Sequence, residues 1–187
     1  KNLDHFFNLA TNKDIESGKE WYKVANQFCT DNAAKYNTDP LIVSSIVSAL
    51  SPRNRWENNL KDAIKVLEAV RDGKQPEQIK VCTFHLNKYK AFNIAKGLRV
   101  ITQDSRKTYN FVRNIAHLDP QALTIDIWHL RACLKEFKNI GNAKIGKTAY
   151  EQLKNLTIKK AQKIGLKGYE LQAIIWLSIQ TNINSIY

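Results

Sequence analysis

Residues 38–50 read TDPLIVSSIVSAL, a helix-start signal followed by an apolar run. Asp39 stands before Pro40, and a capping residue followed by proline in the first turn is typical of a helix start. The residues that follow are apolar on nearly every side of a helix, which predicts a helix buried at the centre of a core. The run is too short to span a membrane.

Apolar residues at helical spacing recur throughout the rest of the chain. Only RVIT, residues 99–102, offers the β-branched character that a strand needs. The sequence therefore predicts an all-α fold of roughly ten helices joined by short loops. Besides the stretch after Pro40, helix signals are present at residues 14–37, 56–71, 86–98, 105–116, 126–137, 150–153, 157–164 and 169–179.

The length of the chain limits its domain organisation. The 187 residues suffice for one sizeable core, or for two small lobes that share one. We expect a single domain over residues 1–187. Residues from about 40 to 137 are expected to form one lobe, and residues 1–39 together with 138–187 are expected to form the other.

The net charge is the strongest bulk signal. The chain has 29 Lys and Arg against 17 Asp and Glu, a formal net charge of +12. Residues 131–170 alone carry ten basic residues against three Glu, a net +7. A one-sided basic surface attracts polyanions, and nucleic acid is the partner that we expect. The alternatives are an ordinary solvated face and an anionic membrane surface, which a strongly amphipathic basic helix would favour.

The cysteine pattern and the lack of long apolar runs indicate in which cellular compartment the protein is expected. Cys29, Cys82 and Cys133 are far apart and have no metal-ligand spacing. This predicts neither a disulfide framework nor a metal site, and it indicates a reducing environment. No signal peptide is visible, and no apolar run reaches the length of a membrane span. We therefore expect a cytoplasmic, DNA-associated protein without a membrane partner.

Residues 105–131 hold the side chains best suited to catalysis. Lys107 follows Arg106 in the first turn of one predicted helix, and Asp126, in LTIDIWHLR, begins the next helix nineteen residues later. An amine that is partly neutral can attack a sugar carbon, and a carboxylate can stabilise an oxocarbenium-like transition state. The pair suits cleavage of an N-glycosidic bond. The plainer interpretations are a solvated lysine and an aspartate that only caps its helix.

These segments resemble the helix-hairpin-helix DNA glycosylases of the endonuclease III type. SRKTYNFVRNI and then TIDIWHLR are similar to the family's hairpin, L-P-G-V-G-x-K-T-A, and to its V-D-x-H-x-x-R motif. More narrowly, they resemble small phage-type members with a GxKTxxFxxNI…VTID pattern. IVSALSPRNRWENNLKDA, NKYKAFNIAKGL and YELQAIIWLSIQ are similar to three further family helices. The resemblance covers about residues 40–180 and implies the family's two-lobed helical fold.

The resemblance implies roles for individual residues. Lys107 matches the Schiff-base lysine of the family, and Asp126 matches its catalytic aspartate. Arg131 matches the arginine that follows the aspartate by five residues, and we expect it to contact DNA. Residues 103–105, Gln-Asp-Ser, replace the hairpin glycines that contact a DNA phosphate, so Ser105 or Arg106 is expected to take that contact.

Two further departures from the family pattern concern histidine and cysteine. Trp128 stands where the family has histidine, and His129 follows it. Both side chains are expected to support the aspartate by packing rather than to touch the substrate. The four cysteines of an iron–sulfur cluster are absent, so neither a cluster nor any other cofactor is expected.

The loop SPRNRW, residues 51–56, is the second candidate for DNA contact. When a base is flipped out of the duplex, protein side chains must fill the gap, and the matching loop does this in the family. Arg53, Asn54 and Arg55 are therefore expected to contact DNA. The alternative is that Ser51-Pro52 starts a helix and that the arginines are merely solvated.

These features together predict a DNA glycosylase with AP lyase activity. The expected substrate is double-stranded DNA that holds a damaged or modified base, and the chain is expected to act as a monomer. One alternative is a phage-type enzyme of base hypermodification on the same scaffold. The other is a non-catalytic DNA-binding module, which the missing hairpin glycines would suit.

Overall fold

The computed structural model describes residues 2–134 and 145–182. Within these ranges the chain forms helices and loops, and no residue is in a strand, which confirms the all-α prediction there. Two short 3-10 turns cover Pro76–Gln78 and Gln103–Ser105. The α-helices are α1 (Asn2–Asn8), α2 (Asn12–Tyr36), α3 (Pro40–Leu50), α4 (Trp56–Arg71), α5 (His85–Ala95), α6 (Arg106–His117), α7 (Ile127–Leu134), α8 (Lys147–Lys163) and α9 (Gly168–Thr181).

Helix α3 is the buried central helix that the sequence predicts. Asp39 has an extended backbone, with φ −84° and ψ 136°, and its side chain accepts a hydrogen bond from Leu41 N at 2.7 Å. Pro40 then fills the first turn, where a missing N–H costs nothing. Every residue from Val43 to Leu50 is buried. Helices α4, α5 and α6 all pack on α3, which makes it the core of this part of the chain.

Helix α4 has the predicted bounds, and its buried face includes polar as well as apolar side chains. It ends before Gly73, whose φ of +70° is the left-handed conformation common after a helix. Asn59 and Asp62 are buried beside Val66, whereas Leu60 is only half-buried. Two polar side chains therefore lie inside the core, where they need partners.

The structure corrects the expected helices near the end of the chain. Residues 150–153 and 157–164 were predicted as two helices, but both lie in α8, because no glycine or proline separates them. Thr157 fits within this helix because its hydroxyl donates to Leu153 O at 2.9 Å, one turn earlier. The predicted end of the helix after Asp126, near residue 137, lies outside the described residues.

The chain divides into two compact units. Unit 1 comprises Lys1–Val24 and Leu118–Tyr187, and its described part contains α1, the first part of α2, and α7 to α9. Unit 2 comprises Ala25–His117 and contains the rest of α2 with α3 to α6. These limits differ from those expected for the lobes, whose boundary near residue 137 lies outside the described residues.

Unit 1 is built around α9. Helices α1, α7 and α8 pack against it, and their contacts bury Phe6, Ala132 and Ile175 in one apolar cluster. Helix α2 approaches α9 at Gly18, where a Cβ atom would lie 2.4 Å from Ile174 Cγ1 and 2.8 Å from the Ile174 backbone. Only glycine permits this distance, so Gly18 fixes how closely the start of α2 packs on α9.

Candidate catalytic residues and nucleic-acid interface

Lys107 lies in unit 2, in the first turn of α6, and its side chain is exposed. The 3-10 turn of residues 103–105 leads directly into this helix. Ser105 and Arg106 are both half-buried, and the Arg106 carbonyl accepts a hydrogen bond from Asn110 Nδ2 at 2.8 Å. The helix start predicted from the sequence is therefore present, although its backbone differs from a glycine hairpin.

Asp126 lies in unit 1, immediately before α7, and it caps that helix. Its Oδ1 accepts a hydrogen bond from His129 N at 2.8 Å, and its carbonyl accepts one from Leu130 N at 3.0 Å. The side chain is half-buried. The capping role that the sequence suggested is thus confirmed, and the carboxylate is held in a defined place at the start of a helix.

Tyr150 of α8 anchors the segment that leads into Asp126. Its hydroxyl donates to Leu123 O at 2.8 Å and accepts from Ile125 N at 3.2 Å. Both bonds are buried, and residues 122–125 are buried as well. A buried hydroxyl that satisfies two backbone groups fixes this non-helical segment, so Tyr150 determines where Asp126 begins α7.

Tyr22 of α2 is a second buried phenol near Asp126, and sequence reasoning missed it. Its hydroxyl donates to Gln172 Oε1 at 2.9 Å. Burial raises the pKa of Tyr22 above its ordinary value, a hydrogen bond with Thr124 opposes the rise, and the negative charge of Asp126 adds to it. The phenol therefore stays protonated and presents no second negative charge beside the carboxylate.

His129 is a buried, neutral histidine in the first turn of α7. Its Nε2 lies 3.0 Å from Thr157 Oγ1, whose own proton goes to Leu153 O. Nε2 must therefore carry the ring proton, because the threonine oxygen can only accept. Burial lowers the pKa of His129 from 6.5 to about 4. The histidine supports the packing between α7 and α8, as the sequence interpretation expected.

The burial of His129 predicts a pH-dependent stability. The unfolded state binds the proton near pH 6.5 and the folded state only near pH 4. Unfolding therefore takes up a proton between these values, and the free energy of unfolding falls as the pH drops, by about 3 kcal/mol in all. Urea denaturation from pH 7 to pH 4 should show a smaller fall for His129→Gln than for wild type. His117→Gln, at an exposed site, is the control, and an equal fall in both variants would refute the prediction.

Trp128 and Arg131 form a stacked pair on α7. The Arg131 guanidinium lies 4.8 Å from the centre of the Trp128 ring, close enough for a cation–π interaction. Both side chains are half-buried, and Trp128 packs against the apolar cluster of unit 1. Trp128 is therefore a packing residue, and Arg131 remains partly exposed to solvent. Its DNA contact stays a prediction.

The predicted site residues are divided between the two units. Ser105, Arg106 and Lys107 lie in unit 2, together with the SPRNRW loop of residues 51–56. Asp126 lies in unit 1, together with the residues predicted to surround it: Trp128, His129 and Arg131.

Arg53 and Arg55 occupy exposed positions in the SPRNRW loop. Arg53 has a φ of +53°, a left-handed conformation that is strained for any residue but glycine. Its guanidinium lies 5.6 Å from the centre of the Phe84 ring. Arg55 directly precedes α4 and makes no side-chain hydrogen bond to cap it. The loop thus presents two cations at the surface, an arrangement that fits both the predicted DNA contact and the alternative of solvated arginines.

Asn54 is placed differently from its two arginine neighbours. Its Nδ2 donates to the buried Asp62 Oδ2 at 3.1 Å, and its Oδ1 is buried with no partner in the described part of the chain. The side chain therefore faces the protein. A DNA contact by Asn54 would require it to leave Asp62, whereas the DNA contacts expected of Arg53 and Arg55 stay predictions.

Phe84 and Leu86 add an apolar component that sequence reasoning missed. Phe84 is 51% exposed although it stacks with Arg53, and Leu86, in the first turn of α5, is 83% exposed. Only a contiguous apolar patch marks a site of contact, so the exposure of these two side chains does not by itself assign one. Their signal in the sequence is weak, because TFHL reads equally well as the start of a buried helix.

Among residues 2–134 and 145–182, no helix has both the length and the apolar character needed to cross a membrane. Within the same ranges, no three or more His, Cys, Asp or Glu side chains are grouped so that they could hold a metal ion.

Comparison with known families assigns the chain to one of them. A family model matches residues 1–183, which is nearly the whole sequence. The chain belongs to DUF7178, described as a family of unknown function. No curated protein and no solved structure matches it. Membership in DUF7178 therefore carries no assigned activity, and the functional argument depends on the residues themselves.

Proposed function

We propose that this chain is a DNA glycosylase with AP lyase activity. The observation that carries the proposal is the position of its two candidate catalytic groups. Asp126 is a half-buried carboxylate fixed at the start of α7, and Lys107 is an exposed amine in the first turn of α6. Each of them retains accessible surface, as a group that meets a substrate must, and a carboxylate and an amine are the charge and the nucleophile that glycosidic cleavage needs.

In the proposed reaction, the target nucleotide is flipped out of the duplex. The bond between C1′ and the base nitrogen breaks, the base leaves with the bonding electrons and gains a proton, and Asp126 stabilises the positive charge that develops on the sugar. The amine of Lys107, after giving one proton to solvent, forms a bond to C1′ and then loses a second proton. The C1′–O4′ bond breaks as the nitrogen lone pair forms the C1′=N bond of a protonated Schiff base, and O4′ takes up a proton.

Strand cleavage follows from the Schiff base. A proton-accepting group removes a proton from C2′. A double bond forms between C2′ and C3′, and the 3′ phosphate leaves by β-elimination. Water then hydrolyses the Schiff base and regenerates the Lys107 amine. No metal or organic cofactor takes part in these steps.

The surface of unit 2 supports DNA as the substrate. Arg53 and Arg55 can contact phosphates, and the exposed ring of Phe84 can stack on a base. The net charge of +12 provides the long-range attraction to a polyanion. Binding should weaken steeply as the salt concentration rises, because phosphate contacts release counterions.

One observation favours a second candidate, a non-catalytic DNA-binding module. Lys107 is exposed, and it follows a 3-10 turn of residues 103–105 where the endonuclease III-type glycosylases have glycines. An exposed lysine just after such a turn would serve equally well as a phosphate contact. The two candidates share DNA binding, and they differ in whether any bond is broken.

Incubation with duplex oligonucleotides tests the proposal. Each duplex carries one damaged or modified base, and a further duplex carries an abasic site. The proposal expects release of a base from at least one lesion and cleavage of the abasic strand. Salt-dependent binding with neither release nor cleavage would contradict the proposal and favour the binding module.

A further inference from the structure

Asp62 of α4 is a completely buried carboxylate that receives hydrogen bonds from three segments of unit 2. Its Oδ2 accepts from Asn54 Nδ2 at 3.1 Å and from Cys82 N at 2.7 Å. Its Oδ1 accepts from Lys65 Nζ at 3.1 Å. One side chain therefore connects the SPRNRW loop, the loop before α5 and α4 itself.

Further hydrogen bonds tie the same two loops to each other. Thr83 Oγ1 donates to Pro52 O at 2.7 Å and accepts from Asn87 Nδ2 at 2.9 Å. Pro52 and Thr83 immediately precede Arg53 and Phe84. The two exposed residues are thus flanked by bonded neighbours, while their own side chains stay at the surface.

This arrangement differs from what packing alone would require. Burying a carboxylate is costly unless several donors compensate it, and an apolar side chain of similar size can often replace it without loss of stability. The Asp62 carboxylate instead accepts hydrogen bonds from two loops, and Lys65 of the same helix also reaches the second loop, at Lys80 O, over 3.3 Å. These two loops expose the side chains of Arg53 and Phe84, which stack on each other.

We propose that Asp62 is a positioning residue for DNA recognition, which fixes Arg53 and Phe84 as a preformed pair. The inference rests on the proposed function, because it takes DNA as the ligand. A surface that is already ordered loses less conformational entropy on binding than one whose loops must order. The left-handed backbone of Arg53 needs such support, because an unanchored loop would relax from that conformation.

Asp62→Asn tests the proposal. Asparagine keeps the shape of the side chain but lacks the charge and one acceptor, so at least one of the donors loses its partner. We expect about tenfold weaker binding of an abasic duplex at fixed low salt, and faster hydrogen exchange at the Cys82 amide. Asp72→Asn, which removes an exposed carboxylate just after α4, is the matched control and should change neither measurement.

A double variant separates positioning from a general loss of stability. If Asp62 acts through Arg53 and Phe84, then adding Asp62→Asn to the double variant Arg53→Ala/Phe84→Ala should weaken binding no further. Independent effects that add would overturn the proposal. Should Asp62→Asn fail to fold, Thr83→Val breaks the link between the loops outside α4 and carries the same expectation.

The outcomes distinguish this inference from the proposed function. Unchanged DNA binding by Asp62→Asn, despite faster exchange at Cys82, overturns the positioning role and leaves the proposed function standing. Absence of DNA binding by the wild-type chain overturns the proposed function and this inference with it.

Discussion

Asp126→Asn is expected to lower the rate of base release by about 10²–10⁴-fold, since it removes the negative charge that faces the sugar in the transition state. The fold should be retained. Asparagine is as good a helix cap as aspartate, and its oxygen can still accept from His129 N. Single-turnover release of the base from the preferred lesion duplex is the measurement.

The control for this prediction is Asp119→Asn. Asp119 is also half-buried in unit 1, and its carboxylate also accepts from a backbone amide, that of Gln121. Removal of that charge should leave base release unchanged. If Asp126→Asn releases the base at the wild-type rate, Asp126 is only a helix cap and the catalytic assignment is wrong.

Lys107→Ala is expected to lower strand cleavage at an abasic site roughly a hundredfold or more, because no other group is proposed to form the Schiff base. Base release should fall less, since water can replace the amine once Asp126 has stabilised the sugar cation. The side chain is exposed, so its truncation should leave the free energy of unfolding nearly unchanged. Gel analysis of the nicked strand gives the cleavage rate.

Lys147→Ala is the matched control for Lys107→Ala. Lys147 is also an exposed lysine at the start of a helix, α8, and it loses the same charge on substitution. Its strand cleavage should equal that of wild type at the same salt concentration. Equal losses in the two variants would mean that both lysines act only through charge, and would contradict the assignment of Lys107 as the nucleophile.

The fold could be predicted where the signals are local. Asp39, Pro40 and the apolar run after them define α3 within a few residues, and the bounds of α4 follow from its own periodicity and from Gly73. The break predicted between residues 153 and 157 was wrong. The helix propensity of the residues near Thr157 is weak, but the packing of α8 against α9 outweighs this weakness.

The candidate site could be predicted only in part. The helix starts at Lys107 and Asp126 follow from capping and spacing, which are properties of neighbouring residues. The support around them comes from residues far away in the chain, such as Tyr150, which bonds to Leu123. Asp62 lies on a helix with charged neighbours. The local sequence therefore does not indicate that it is buried and accepts hydrogen bonds from Asn54 and Cys82.

The central claim is that Lys107 forms a covalent bond to the sugar of an abasic site. Borohydride added during incubation of the wild-type chain with abasic duplex would reduce the Schiff base to a stable amine, and peptide mass spectrometry would identify the modified residue. The account predicts a covalent adduct on Lys107. The absence of an adduct, or an adduct on another residue with Lys107 unmodified, would contradict it.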